Sequence, residues 1–182
     1  SAEETLKRLA ERIRKLLEEH RETVKRVIDR LDKVLRDHHR ENKRLLEDID
    51  RVLRRLEESL KDEEKVKEIR RRVEEIKDTL RRLDERSRDR VRRVKKEAED
   101  RLRRSEEEIR RILRELEEIV RRNKEKVEDL DRRVKEVERR LREMSKTIEK
   151  LVKDIERELK EASEESRELV ERMKRELTEA EK

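Results

Sequence analysis

The amino-acid sequence is defined first by the residue types that it lacks. Its 182 positions contain no glycine, proline, cysteine, phenylalanine, tyrosine or tryptophan. Without cysteine there are no disulfides, thiolate nucleophiles or cysteine-ligated zinc sites. Without aromatic rings there are no platforms on which nucleic-acid bases stack and no aromatic cages for cationic ligands. The composition therefore excludes several common classes of functional site.

Long hydrophobic runs are also absent. No more than two apolar residues occur in succession, as at Leu16 and Leu17. A membrane-spanning helix needs about 20 such residues, and the core of a signal peptide needs about 7–15. We therefore expect a soluble chain without a targeting signal, located in the cytoplasm if it is expressed in bacteria.

Charged residues make up 62% of the chain and hydrophobic residues 29%, a balance that is typical of disordered proteins. Two features favour a folded chain instead. The apolar residues are strictly periodic, and nearly every position holds a strong helix former such as Glu, Arg, Lys or Leu. The sequence therefore predicts an all-α protein.

The apolar residues of the first third follow an 18-residue repeat, in which Ile13, Leu31 and Ile49 are equivalent. Eighteen residues make five turns of an unstrained α-helix, at about 3.6 residues per turn. A strict heptad imposes a left-handed supercoil and an 11-residue repeat a right-handed one. Because the observed period lies between them, we predict nearly straight helices that pack in a coiled-coil-like manner.

The apolar pattern is interrupted at 61–65 and at 121–126, which divides the chain into near-equal thirds. We predict one domain over 1–182, an antiparallel up-down-up three-helix bundle with helices at about 2–61, 63–122 and 125–181. Asp62 suits the N-cap of the second helix, and Asn123 tolerates the left-handed position after that helix ends. The alternative is one uninterrupted helix about 270 Å long in a multichain coiled coil, compared with about 90 Å for the folded bundle.

Polar side chains interrupt the apolar pattern at matching heights. Folding the chain at the two interruptions aligns histidines of the first helix with serines of the other two. The predicted layers are His20 with Ser105 and Ser145, and His38 with Ser87 and Ser163, the second extended by Asn42 and Ser166. Such layers lower stability relative to apolar packing, but they fix helix register. The alternative is that the serines are half-exposed and the histidines turn toward solvent.

Burial of the two histidines would make stability depend on pH. A buried imidazole resists protonation, so its folded pKa lies below the unfolded value of about 6.5. The sequence therefore predicts that the histidine contribution to stability is lost as the pH falls below that value.

We predict no metal, no cofactor and no enzymatic activity. His20 and His38 are about 27 Å apart along a helix axis, and the adjacent His38 and His39 point about 100° apart. Neither pair can share a metal ion. A serine beside a histidine is the start of a nucleophile and base, but the sequence identifies no orienting acid, oxyanion donors or cleft.

Residues 81–96 contain nine Arg or Lys against three acidic residues, in a chain of net charge +6. Such a segment can hold phosphate by counterion release, without reading a base sequence. Charge runs of this kind are more often solvated helix faces. We therefore predict no specific nucleic-acid partner and no membrane partner.

The first helix carries more apolar residues than a helix with two neighbours needs. It has six apolar doublets, and each of the other helices has two. The residues assigned to this wide face as a candidate interface are Leu17, Ile28, Leu35, Leu46 and Leu53. Two predictions stay open: a monomer that requires no partner, or a homo-oligomer subunit or binder of a designed helical partner.

Taken together, the Gly-free and Pro-free Glu/Arg/Lys background, the 18-residue register and the repeated polar layers resemble computationally designed (de novo) helical bundles with buried hydrogen-bond networks. The resemblance covers the whole chain and rests on style, without a family motif. It implies a structural scaffold or helical assembly module without a substrate. Natural spectrin-like repeats share the three-helix topology, but they usually carry aromatic residues in the core.

Overall fold

A computed structural model describes residues 2–122 and 127–181. They form three helices, α1 (Ala2–Ser59), α2 (Glu63–Arg122) and α3 (Val127–Glu181). The three helices pack against one another, which confirms the all-α three-helix bundle. The predicted bounds of α2 match those observed. The predicted start of α3 at 125 and the position assigned to Asn123 lie outside the described residues.

Side-chain partners give the direction of each helix. His20 with Ser145 and His38 with Ser163 are both separated by 125 residues. A constant difference of this kind means that α1 and α3 run parallel. Between α1 and α2 the residue numbers of ion-pair partners instead have a constant sum, as antiparallel helices require; the pairs are Arg21 with Glu106, Lys77 with Asp50 and Arg70 with Glu57. The bundle is therefore up-down-up.

The first turn is set by Asp62. Its carboxylate accepts a hydrogen bond from the Glu64 backbone N–H at 3.0 Å, and its carbonyl accepts the first helical bond of α2, from Val66. This is the geometry of an N-cap, as predicted. α1 ends at Ser59 rather than at 61, because residues 60–62 must leave the helix to place that cap.

Contacts divide the chain into two compact units. Unit 1 comprises Ser1–Arg30 and Arg93–Lys153, and unit 2 comprises Leu31–Arg92 and Asp154–Lys182. Each unit therefore draws one segment from every helix and has its own core cluster. That residues 1–182 form one domain, and that the helices are nearly straight, stay predictions.

Aliphatic side chains fill both cores. In unit 1 Leu9, Ile13 and Leu116 are fully buried, and in unit 2 Ile49 and Leu80 are. Full burial of such a side chain contributes about 1.5–3 kcal/mol, so these residues are the main source of stability.

The core face of α3 differs in part from the predicted one. Val152 and Val170 are completely buried, whereas Leu151 and Leu169 are half-buried. α3 packs against two neighbours, so its buried stripe is wider than a two-in-seven seam. Among the residues that the structure describes, no helix is long and apolar enough to cross a membrane.

Candidate functional site: two buried polar layers

The polar layer of unit 2 is centred on His38, which is 3% exposed. Its Nδ1 lies 2.6 Å from Ser163 Oγ on α3. Its Nε2 lies 3.3 Å from Ser87 Oγ on α2 and 3.4 Å from Asn42 Nδ2, one turn along α1. One imidazole thus contacts polar side chains on all three helices, as predicted.

Asn42 determines the proton position on this ring. An amide nitrogen can only donate, so His38 Nε2 accepts its hydrogen bond and the neutral ring carries its proton on Nδ1. Nδ1–H therefore donates to Ser163 Oγ. Ser87 has one hydroxyl proton, and Leu83 O lies closer to its Oγ, at 2.9 Å, than the ring does. The amide orientation follows from this network of partners.

Ser166 is fully buried, but it contributes less to the layer than predicted. Its hydroxyl donates to the Ala162 carbonyl of its own helix at 2.9 Å. A serine that bonds back to residue i−4 satisfies itself and leaves its neighbours to find other partners. Asn42 Oδ1 has no hydrogen-bond partner among the described residues.

The polar layer of unit 1 is centred on His20, also 3% exposed. Its Nδ1 lies 2.7 Å from Ser145 Oγ on α3, the same contact that His38 makes 18 residues later. Its Nε2 is buried without a hydrogen-bond partner in the described chain. The His20–Ser145 part of the predicted layer is therefore present.

The predicted bond between His20 and Ser105 is wrong. Ser105 is buried at the predicted height, 3% exposed, but its hydroxyl donates to the Arg101 carbonyl at 2.8 Å, and Met144 Sδ lies beside it at 2.7 Å. The local i−4 carbonyl competes successfully for the single hydroxyl proton.

Burial lowers the pKa of both layer histidines below the ordinary value of 6.5. For His20 this desolvation is opposed by the Glu106 carboxylate on α2. For His38 it is opposed by Asp84 and Glu41, and the neighbouring His39 lowers the pKa further. Desolvation dominates because a low-dielectric surrounding disfavours the imidazolium.

His39 behaves differently from its neighbour. Its side chain is 49% exposed, and its Nδ1 lies 3.0 Å from Asp84 Oδ2 and 3.0 Å from an Arg88 nitrogen. It belongs to a row of interhelical polar contacts at the α1–α2 edge, with Arg21–Glu106 at 2.8 Å and Glu57–Arg70 at 2.7 Å.

Interhelical ion pairs change sign between the two units. In unit 1, α1 presents cations to both neighbours, in Arg12–Glu138 and Arg21–Glu106. In unit 2 it presents anions, in Glu41–Arg167, Asp48–Lys174, Asp50–Lys77 and Glu57–Arg70. The α2–α3 pairs reverse likewise, with Arg90–Glu158 and Arg72–Glu176 in unit 2 and Glu108–Arg140 in unit 1.

The reversal opposes a register error that the repeated core would tolerate. Shifting one helix by 18 residues keeps the apolar pattern and one histidine–serine contact. The same shift places Arg90 near Arg140, or Glu108 near Glu158. Exposed ion pairs stabilise by about 0–1 kcal/mol each, so their contribution here is to disfavour the shifted alternative.

Glu138 is a buried charge that sequence reasoning missed. It is 8% exposed, and its carboxylate lies 2.6 Å from Arg12 on α1 and 3.7 Å from Arg142. With 53 acidic residues in the chain, nothing in its sequence position distinguished it from solvent-exposed carboxylates.

The apolar excess of α1 lies along its edge with α2. Leu17, Leu35 and Leu53 come one turn before Arg21, His39 and Glu57, all of which contact α2, and residues four apart share a helix face. Leu17 is buried in the unit 1 core, and Leu46 and Leu53 pack against the unit 2 core. Ile28 and Leu35 remain half-buried.

Other candidate sites add little. Within residues 2–122 and 127–181 no group of three or more metal-ligating side chains is placed to hold an ion. In the basic segment 81–96, four arginines pair with carboxylates: Arg81, Arg88, Arg90 and Arg92.

Comparison with known proteins gives no relative from which a function could be carried over. No protein-family model, no curated protein and no solved structure matches the chain. The two polar layers are therefore interpreted from their own geometry.

Proposed function

We propose that this chain is a structural scaffold or helical assembly module, without catalytic activity, whose polar layers specify how its helices pack. One observation carries the proposal. The same buried contact, histidine Nδ1 to serine Oγ, occurs twice between α1 and α3 with the same separation of 125 residues. A repeated buried polar contact penalises every register in which it is broken, because each unpaired group costs about 1–3 kcal/mol.

A structural role also accounts for the seclusion of the histidine–serine pairs. His38 and Ser163 are 3% and 7% exposed, which leaves no approach for a substrate. Catalysis needs an accessible nucleophile beside a base and a place for the reacting atom. We further propose that the chain is a designed bundle, because its periodic polar layers and its sequence free of helix breakers serve packing specificity.

The test removes the layers and measures helix register. Both layers are made apolar in one variant: His20→Leu, Ser105→Ala, Ser145→Ala, His38→Leu, Ser87→Ala and Ser163→Ala. Spin labels at Glu22→Cys on α1 and Glu149→Cys on α3 report an interhelical distance, and the absence of native cysteine makes labelling specific. The measurement is made at about 1 M salt, where the Debye length falls to about 3 Å and exposed ion pairs are screened.

We expect one narrow distance distribution for the labelled parent and several distances for the apolar variant, with its stability equal or higher. The matched controls keep one layer each, and we expect them to retain the parent distance. A single parent-like distance in the fully apolar variant would refute the proposal that the layers specify register.

Self-association or binding of a partner helix through α1 is the second proposal. It is supported by Ile28 and Leu35, which remain half-buried. Sedimentation across a wide concentration range tests it. A single species at the monomer mass of 22.7 kDa at all concentrations would rule out self-association, and the Ile28→Glu/Leu35→Glu variant should dissociate any oligomer that forms.

A further inference from the structure

Each unit contains one buried polar atom of its layer without a partner in the described chain, and the two atoms differ in kind. In unit 1 the atom is His20 Nε2, on the ring itself. In unit 2 it is Asn42 Oδ1, on a side chain that contacts the ring. Both side chains are 3% exposed. The difference matters when the rings gain a proton, because an imidazolium donates from both nitrogens.

Unit 2 can accommodate a protonated ring. Asn42 Nδ2 lies 3.4 Å from His38 Nε2, and a half-turn of the terminal amide would bring the unpartnered Oδ1 to this position. Nε2–H would then gain an acceptor, and Oδ1 would gain a donor. Ser163 Oγ already accepts from Nδ1–H and continues to do so.

The charges around His38 also favour the cation on balance. From α2 the ring faces Asp84, and on its own helix it faces Glu41; both carboxylates attract the imidazolium. Each is partly neutralised, Asp84 by Arg88 and Glu41 by Arg167 of α3. His39 opposes the cation.

Unit 1 offers no such accommodation. The position that corresponds to Asn42, 18 residues earlier, is Val24, which is 2% exposed and apolar. The carboxylate acting on His20 is Glu106 of α2, which is held by Arg21 at 2.8 Å. From α3 the ring meets the neutral Ser145 at its other nitrogen. A protonated His20 would therefore bury an N–H group without an acceptor, which is among the costlier defects in a protein core.

We propose that the Asn42 amide is a proton-dependent switch that lets unit 2 retain a protonated His38, so that mild acid opens unit 1 before unit 2. Asn42 donates to the neutral ring and accepts from the protonated one. Unit 1, with Val24 in the same place, must expel or expose its histidine. The inference uses the geometry of the layers and does not depend on the chain serving as a scaffold.

The test is hydrogen–deuterium exchange of the full-length chain, resolved by segment, from about pH 7 to pH 4. Protection is expressed relative to the intrinsic exchange rate at each pH. The compared segments are 13–27 in unit 1 and 31–45 in unit 2. In the parent we expect the unit 1 segment to lose protection at the higher pH.

The 18-residue repeat supplies a matched variant, Val24→Asn/Asn42→Val, which exchanges the two side chains and keeps the composition. We expect the order of opening to reverse. If the order is unchanged, or if both units of the parent open at the same pH, the proposal is wrong. Should Val24→Asn prevent folding at neutral pH, Asn42→Val alone decides, because it should raise the opening pH of unit 2 to that of unit 1. No change in that variant would overturn the role of Asn42.

Discussion

His38 Nδ1 lies 2.6 Å from Ser163 Oγ, and the two buried side chains join α1 to α3 in unit 2. His20 and Ser145 form the equivalent contact in unit 1, at 2.7 Å. These two contacts are made by side chains remote in sequence, and neither can be replaced by water without opening the core. They are the basis of the predictions that follow.

Removal of the serine hydroxyl should destabilise the bundle. Ser163→Ala leaves His38 Nδ1–H buried without its acceptor, so we expect a loss of about 1–3 kcal/mol in the free energy of unfolding. Denaturant unfolding at pH 7.5 measures it. The matched control is Ser166→Ala, also buried, whose hydroxyl bonds to its own helix and whose loss should be nearly neutral. Equal effects of the two substitutions would show that the interhelical bond contributes nothing.

Acid should weaken the parent chain more than a chain without layer histidines. The folded pKa values of His20 and His38 are lowered by burial, so the unfolded state binds the protons more readily. The histidine contribution to stability is therefore full above about pH 6.5 and is lost as the pH falls from there toward the folded pKa values.

This pH dependence can be isolated with the His20→Leu/His38→Leu variant. Its unfolding free energy should fall less than that of the parent between pH 7 and pH 4.5, because the change due to carboxylates is common to both chains. Parallel decreases in the two proteins would mean that the histidines are not buried in the neutral form.

Charge reversal should test the ion pairs as register selectors. Arg90→Glu places a carboxylate opposite Glu158 and should destabilise by up to about 1 kcal/mol, as expected for an exposed pair. Adding Glu158→Arg restores an opposite pair and should recover most of the loss. The measurement is a double-mutant cycle at low and high salt, and the coupling should shrink at high salt. Strictly additive effects would contradict an interaction between the two side chains.

The position of the apolar edge of α1 predicts unequal truncation effects. Leu31 is fully buried, so Leu31→Ala should reduce the unfolding free energy by about 2–5 kcal/mol. Leu35, one turn later and half-buried, should give a clearly smaller loss. Thermal or denaturant unfolding compares the two. Similar large losses would mean that Leu35 is as fully packed as Leu31.

Much of the fold followed from the sequence because few local structures compete with helix here. Helix breakers are absent, and the apolar repeat has one period, so the interruption at Asp62 determines where the first turn lies. The heights of the layers followed as well, since Ser145 and Ser163 repeat the spacing of His20 and His38.

The sequence could not tell which hydroxyls serve the rings. Ser105 and Ser166 stand at layer heights, yet both donate to carbonyls of their own helices. This choice depends on side-chain rotamers and on distances of tenths of an ångström. Burial of Glu138 was equally hidden, because Arg12 and Arg142 reach it from different helices.

The central claim, two buried histidines bonded through Nδ1, is tested most directly by nitrogen-15 NMR of the imidazole rings during a pH titration. The account predicts that His20 and His38 both remain neutral, with the proton on Nδ1, at pH values where a free imidazole of pKa about 6.5 is already largely protonated. Titration of both rings at about 6.5, with the tautomer mixture of a solvent-exposed imidazole, would contradict it.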